Sequence, residues 1–137
     1  MDGALITREQ VIPLLIEACP SFQAVYDEHL RDHGEELLYL ALGDFARHLL
    51  SLHQRNQVES FPIVALAIER LHVEGDSFVR EAATIGLLEG IQNNWDHAEV
   101  DAELFGRHLL PVSAKWWRSA QDFWSGKCKF VGEGIDG

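Results

Sequence analysis

The sequence has few cysteines, little positive charge and no long apolar run. Its two cysteines, Cys19 and Cys128, lie far apart with no metal-type ligand beside them, so neither a disulfide framework nor a cysteine metal site is expected. The chain has 11 Lys and Arg against 22 Asp and Glu, a net charge of −11 that disfavours nucleic-acid binding. No apolar run approaches the roughly 18 residues that span a bilayer. Asp2 stands where a signal peptide carries Lys or Arg, which favours a cytoplasmic protein.

The rest of the composition is typical of one folded domain. Of 137 residues, 47% are hydrophobic, which argues against wholesale disorder. Chains of this length usually form one domain. We predict a single helical domain over residues 1–126 and a flexible, glycine-containing tail over residues 127–137.

Apolar residues recur at the helical period, and no segment alternates with period two. The strongest pattern includes Leu38, Leu42, Phe45 and Leu49. We therefore predict an all-α fold of six or seven helices, with the third and fifth at its centre. The expected helices cover about residues 7–18, 22–30, 35–54, 63–73, 78–93, 102–108 and 113–124.

Several helix ends carry recognisable signals. Thr7 and Gln10 have the spacing of a capping box, and Pro62 suits a first helical turn. Gly75 is expected to end a helix in the left-handed conformation, and Asp76 or Ser77 to cap the next one. Pro111 is expected to stop the short helix that Asp101 caps.

The fifth helix carries small residues on one face. Gly86 and Gly90 lie four residues apart, and glycine inside a helix costs roughly 0.5–1 kcal/mol relative to alanine. Their presence predicts a close approach by another helix.

The histidines suggest metal chemistry only weakly. His29 and His33 have helical ligand spacing, and Glu69 with His72 forms half of the motif that a di-iron bundle uses. The second copy of that motif is missing, and no nucleophile elbow or phosphate loop occurs. We predict no catalytic residue, no metal and no cofactor.

Negative charge is concentrated in two segments. The segment from Tyr26 to Asp44 has one base, Arg31, and six acids, and its sum is −5. The segment from Asn93 to Phe105 has four acids and no Lys or Arg. Such asymmetry favours a cationic partner; the alternative is that the acidity only maintains solubility. The candidate partner-binding acids are Asp27, Glu28, Asp32, Glu35, Glu36, Asp96, Glu99 and Asp101.

Three tryptophans cluster in the last helix, namely Trp116, Trp117 and Trp124. Adjacent Trp116 and Trp117 cannot face the same way, so one of them can stay exposed and contact a partner. We include both as candidate partner contacts, with a role as core anchors for the closing helix as the alternative.

One stretch resembles the second helix of a HEAT-type repeat, namely Asp76-x-x-Val79-Arg80-x-Ala82-Ala83 followed by Leu87-Leu88. The resemblance covers about residues 61–91 and implies that the Asp caps the helix, the Arg bonds a neighbouring repeat and the small residues pack. It implies an irregular, HEAT-like helical array.

A broader resemblance covers about residues 5–126. Three stretches are similar to those of a bacterial family of small acidic helical proteins without an assigned enzymatic activity: Glu36–His48, Ile68–Asp76 and Val79–Gln92. In size, acidity and helical content the family is similar to immunity proteins that neutralise polymorphic toxins. This resemblance implies a non-enzymatic binding protein that occludes a basic toxin domain.

Two other functions stay open. One is a regulatory or structural interaction protein that self-associates through the tryptophan helix. The other is a metal-dependent helical enzyme that uses the histidines. The sequence does not determine the partner, a ligand or the oligomeric state.

Overall fold

The computed structural model describes residues 4–124, which form an all-α fold, and this confirms the predicted fold class. A π-helical segment, Ala82–Leu88, joins the helices Ser77–Glu81 and Glu89–His97 without a break. No strand occurs within the described range, and none of its helices is long and apolar enough to cross a membrane. The helices are α1 (Arg8–Ala18), α2 (Phe22–His33), α3 (Leu38–Gln54), α4 (Phe61–Glu74), α5 (Ser77–Glu81), α6 (Glu89–His97), α7 (Glu103–Gly106) and α8 (Pro111–Trp124).

Three of the helices begin beside a side chain that accepts a hydrogen bond from a backbone amide. The Gln10 side chain accepts a hydrogen bond from the Thr7 amide at 2.8 Å, so this half of the predicted capping box is present. The Asp76 carboxylate accepts from the Val79 amide at 2.8 Å and caps α5 as predicted. Asp101 accepts from the Glu103 amide at 2.9 Å at the start of α7.

The predicted left-handed conformation of Gly75 is wrong. Its backbone is extended, with φ −75° and ψ 154°, because it forms a parallel bridge with Ile6. The Ile6 amide donates to the Glu74 carbonyl, and the Asp76 amide donates to the Ile6 carbonyl. Glycine is needed here for space, since a Cβ would lie 2.5 Å from Val79 Cγ1.

Two predicted helix boundaries also change. Pro111 begins α8 and does not end the preceding helix, which suits a residue without an N–H group. The third helix begins at Leu38, so Glu35 and Glu36 lie in the connection from α2. Gly34 starts that connection with φ +75°, a conformation that favours glycine.

The predicted close approach occurs at Gly86. A Cβ on Gly86 would lie 2.5 Å from Leu42 Cδ1 on α3, whereas a Cβ on Gly90 would lie 3.7 Å from Ala46 Cβ. Gly86 therefore permits the contact between α3 and the π-helical segment.

The third helix is central, as predicted. It packs against α2, the π-helical segment and α6. Tyr39 contacts Phe78 near the start of α3, and His53 contacts Trp95 near its end. The chain from Ser77 to His97 therefore runs parallel to α3, and this alignment determines how far apart the two acidic segments lie. The largest fully buried side chains are Trp95, Phe22, Phe45, Phe61, Phe105, Leu15, Leu42, Leu49, Ile68, Leu71, Leu87 and Leu88.

Three predictions are neither confirmed nor contradicted by the structure. The HEAT-like arrangement remains a prediction, as does the extent of the domain over residues 1–126. The predicted tail over residues 127–137 and the side chain of Trp124 lie outside the described part of the chain.

Candidate partner-binding site

Part of the first acidic segment lines a groove between α1, α2 and the start of α3. We call it the acidic groove; its volume is about 450 Å³. Its walls combine charged residues with apolar ones. The lining residues are Arg8, Glu9, Ile12, Pro13, Ile16, Gln23, Tyr26, His29, Leu30, Glu35, Glu36, Leu37, Leu38 and Ala41.

Three carboxylates outnumber one guanidinium along the acidic groove. Glu9, Glu35 and Glu36 line it together with Arg8. The Arg8 guanidinium donates to the Glu36 backbone carbonyl and lies 5.6 Å from the centre of the Phe78 ring. One guanidinium offsets only one of the three carboxylate charges, which leaves the glutamates as the main source of potential in the groove.

The phenol of Tyr26 lies in the groove among these charges. Burial and the charge of Glu35 raise the pKa of the Tyr26 phenol, while Arg8 opposes the shift. The phenol therefore stays protonated at neutral pH and can donate a hydrogen bond inside the groove.

Exposed leucines flank the same carboxylates. Leu30 and Leu37 line the groove and are 37% and 46% exposed. Buried Ile12 and Leu38 form the part of the lining that belongs to the core. An apolar surface with a polar rim is the usual anatomy of a protein interface.

The predicted acids of α2 lie outside this lining. Asp27, Glu28 and Asp32 are exposed, and Asp27 accepts a hydrogen bond from Gln23 at 3.0 Å. Glu28 follows Tyr26 by two positions and therefore lies on roughly the opposite side of the helix. The structure thus brings Glu35 and Glu36 to the groove but leaves the α2 acids on the outer surface.

The second acidic segment forms a separate cleft of about 390 Å³, which we call the acceptor cleft. Asp96, Asp101 and Glu103 line it, whereas Glu99 is exposed outside the lining. The complete lining is Gln92, Asn93, Asp96, Val100, Asp101, Ala102, Glu103 and Gln121.

The acidic groove and the acceptor cleft lie near opposite ends of α3. Glu35 and Glu36 precede the first turn of α3, and His53 in its last turn contacts Trp95 beside Asp96. Since α3 has 17 residues, the two sites are separated by about 26 Å along its axis, at 1.5 Å per residue. The predicted acids therefore form two sites and not one surface.

The structure places Trp117 in the core, which favours the alternative role of a core anchor over a partner contact. Trp117 is only 2% exposed, and its indole lies flat against Gly106, where a Cβ would come within 2.7 Å of Trp117 Cε2. Its Nε1 donates to Glu103 Oε1. Trp117 is thus the core anchor of α8, whereas Trp116 is half-buried and lines another cleft.

A comparison of the chain with known protein families finds one match. Residues 12–125 match the family described as Domain of unknown function (DUF7674). The chain belongs to this family. No curated protein matches it, and no solved structure matches it.

A buried histidine network lies elsewhere in this DUF7674 domain and was missed by sequence reasoning. His72 Nδ1 lies 2.8 Å from Ser113 Oγ, and His72 Nε2 lies 3.0 Å from Thr84 Oγ1. Burial lowers the pKa of His72 to about 4, so the ring is neutral near pH 7. A neutral imidazole has one donor and one acceptor nitrogen, which the two hydroxyls satisfy.

Glu69 shows why the Glu-x-x-His spacing is present. Its carboxylate accepts from the Val112 and Ser113 amides at 3.2 Å and 2.9 Å, at the start of α8. A carboxylate at a helix N-terminus is stabilised by the helix dipole. Glu69 and His72 therefore join α4 to α8, and this pair could have been read from the sequence only as a weak metal motif.

The histidine network lies beside a further cleft of the DUF7674 domain, a space of about 790 Å³ along the π-helical segment. Phe78, Ile85, Val112 and Trp116 supply apolar walls, and His72 contributes to the lining. π-Helical turns occur frequently at functional sites.

The other candidate histidines form a local cluster. The ring centres of His29 and His33 are 5.1 Å apart, and His29 Nδ1 lies 3.1 Å from Asp44 Oδ2. Asp44 also pairs with Arg47. Within residues 4–124, no group of three His, Cys, Asp or Glu side chains has an arrangement that could hold a metal ion.

Proposed function

We propose that this DUF7674 protein is a non-enzymatic, cytoplasmic binding module whose acidic groove takes a basic, amphipathic segment of a protein partner. The observation that carries the proposal is the combination within one groove of Glu9, Glu35 and Glu36 with the exposed side chains of Leu30 and Leu37.

Each part of the groove favours a different part of such a segment. The carboxylates attract Lys or Arg and accelerate encounter through long-range steering. The exposed leucines offer an apolar surface to the other face of the segment, and a helix presents such a face at every third or fourth residue. Apolar contacts would then govern dissociation more than the charges do.

We further propose that the partner is a basic toxin domain and that the protein acts as its immunity protein. The support is the acidic balance of the chain, with 22 acids against 11 bases, and the resemblance to immunity proteins in size and helical content. Occlusion requires only a stable complex and no chemical step.

The experiment compares two double charge reversals in the full chain. Glu35→Lys/Glu36→Lys alters the acidic groove, and the control Glu28→Lys/Asp32→Lys alters exposed acids outside its lining. Both variants change the net charge equally. The candidate probe is the product of the gene adjacent to that for this chain, where the gene for a toxin is expected.

We expect the groove variant to lower the association rate constant at least tenfold at 0.1 M salt and the control to lower it less than threefold. The difference should shrink at 1 M salt, where the Debye length falls from about 10 Å to about 3 Å. Equal effects of the two variants would refute groove binding. Growth protection against the toxin that survives the groove reversal would refute the immunity role.

A second candidate function is self-association, which an exposed apolar face of α4 favours. Ile63, Leu66 and Val73 are 57%, 52% and 58% exposed and share the face opposite the buried residues of α4. A dimer through this face predicts a concentration-dependent mass in light scattering that Leu66→Lys abolishes. A monomeric mass at all concentrations would eliminate this candidate.

A further inference from the structure

The cleft of about 790 Å³ between the π-helical segment and the first turns of α8, which we call the π-helix cleft, has mainly apolar walls. Phe78 and Ile85 form one wall, and Val112 and Trp116 on α8 form the other. Phe78 and Ile85 are 36% and 42% exposed, and the two α8 residues are half-buried. Small-molecule sites usually have volumes of about 300–1,000 Å³ and apolar walls. The π-helix cleft therefore has the size and the wall chemistry of a ligand site.

A hydrogen-bonded ring at the floor of the π-helix cleft holds the two walls at a fixed separation. The His72 ring lines the cleft and lies 2.8 Å from Ser113 Oγ and 3.0 Å from Thr84 Oγ1. Ser113 follows Val112 in one wall, and Thr84 precedes Ile85 in the other. One imidazole ring and two hydrogen bonds thus set the spacing of the walls. A site whose shape is fixed in advance loses less entropy when a ligand binds.

The same hydrogen bonds determine which part of a ligand can lie deep in the cleft. A neutral imidazole has one donor and one acceptor nitrogen, and the two hydroxyls engage both of them. His72 and Thr84 are each only 5% exposed. The floor therefore has little hydrogen-bonding capacity left for a ligand, and a polar group placed there would lose its bonds to water without replacement. The inner part of the ligand must be apolar.

Two charged residues, Arg80 and Glu81, lie at the exposed rim of the cleft. The Arg80 guanidinium has no hydrogen-bond or ion-pair partner among residues 4–124. Burial and the charge of Glu81 raise the pKa of the Tyr39 phenol, which places the Glu81 carboxylate on the side of the cleft that faces α3. Arg80 is thus available to a ligand, and a guanidinium binds a carboxylate through two parallel hydrogen bonds.

From these features we infer that the π-helix cleft binds a small amphipathic carboxylate, whose apolar body lies between the two walls and whose carboxylate pairs with Arg80. An aromatic body suits the cleft because Phe78 and Trp116 offer rings for offset or edge contacts. The inference goes beyond the proposed function and does not depend on it, since the π-helix cleft and the acidic groove share no lining residue.

The test titrates the isotope-labelled full chain with 4-phenylbutyrate and follows amide and indole resonances by NMR. The controls 4-phenylbutanamide and 4-phenylbutylamine keep the apolar body and replace the carboxylate by a neutral and by a cationic group. We expect saturable shifts of the Trp116 indole and of the Ile85 and Val112 amides, and no shift of the buried Trp95 indole.

The order of affinities tests the charge of the ligand. The butyrate should bind about fivefold more tightly than the amide, which is the effect of one partly exposed ion pair, and the amine should bind more weakly than the amide. Equal binding of the butyrate and the amine, or shifts that do not saturate, would overturn the inference.

Two matched arginine variants locate the carboxylate. Arg80→Gln should lower the affinity for the butyrate about fivefold, whereas Arg118→Gln, outside the lining, should leave it within twofold. Both arginines are exposed, so neither change disturbs the core, and both change the net charge equally. Equal weakening by the two variants would show general electrostatic attraction and would refute the contact with Arg80.

A second pair of variants locates the apolar body. Ile85→Asn should weaken the binding of both the butyrate and the amide at least threefold, because it removes part of one wall. The control Leu66→Asn, on the exposed face of α4, should weaken neither. Butyrate binding that survives Ile85→Asn unchanged would place the ligand elsewhere.

Two other occupants of the cleft would give different results. Phe130 lies in the segment that follows α8, and a tenfold gain in butyrate affinity in Phe130→Ser would show that this segment fills the cleft. A butyrate affinity that falls as the protein concentration rises would show that a second copy of the chain covers it. Either result would overturn the inference, and a constant affinity in both experiments would support it.

Discussion

The close contact between α3 and the π-helical segment can be tested with two matched glycine substitutions. Gly86→Ala would place a Cβ 2.5 Å from Leu42 Cδ1 and 3.3 Å from Tyr39 Cδ1. Leu42 is fully buried, so it has little room to move away. Gly90→Ala would place its Cβ 3.7 Å from Ala46, which is an ordinary van der Waals contact. The two changes add the same methyl group to one continuous helical stretch in different surroundings.

Relative to the original protein, the expected changes in the free energy of unfolding have opposite signs in the two variants. Replacing a helical glycine by alanine stabilises by about 0.5–1 kcal/mol, and Gly90→Ala should show this gain. Gly86→Ala has the same gain but also an overpacking cost of about 1–3 kcal/mol. It should therefore be the less stable variant, by roughly 1–3 kcal/mol.

Thermal and urea denaturation measure this difference. A chain of this size shifts its Tm by roughly 3–5 °C per kcal/mol, so the two variants should be clearly resolved. The circular dichroism spectra of both folded variants should match the original protein. A Tm for Gly86→Ala equal to or above that of Gly90→Ala would show that Gly86 does not limit the approach of α3.

Two further predictions concern the contacts that α8 makes with other parts of the domain. His72 has a pKa of about 4 in the folded protein against 6.5 in the unfolded chain. The contribution of the neutral ring to the free energy of unfolding is therefore fully present above pH 6.5. It is lost as the pH drops toward 4, by on the order of 3 kcal/mol. His72→Gln should lose much less stability between pH 7 and pH 4.5 in urea denaturation, and parallel losses would contradict a buried neutral histidine. Gly106→Ala should displace the indole of Trp117, lower the Tm and shift tryptophan fluorescence to longer wavelength. An unchanged emission maximum would show that the indole keeps its place.

Much of the secondary structure follows from local patterns in the sequence. The repeat of Leu38, Leu42, Phe45 and Leu49 predicts α3 because one helical face must be apolar to enter a core. Asp76 predicts the start of α5 because its carboxylate reaches an amide three residues later. Both interactions involve neighbours within the chain, so no knowledge of the tertiary structure is needed.

Predictions failed where a distant residue decided the local geometry. Gly75 is extended and not left-handed because Ile6, far away in sequence, pairs with the backbone on both sides of it. Trp117 is buried because Gly106 leaves room for a flat indole. Neither contact can be recognised from the neighbouring residues, which are the only ones that helical periodicity relates to one another.

The sequence by itself determined an acidic, all-helical chain with two negatively charged segments and a small-residue face on the fifth helix. Only the tertiary structure decided how these features are arranged. The parallel alignment of α3 with the chain from Ser77 to His97 separates Glu35 and Glu36 from Asp96 and Asp101. The packing of α4 against the π-helical segment and α8 places the buried His72 between Thr84 and Ser113. The physical reason is that helical periodicity selects which face of each helix is buried, whereas shape and hydrogen-bond complementarity between helices select the neighbour that covers it.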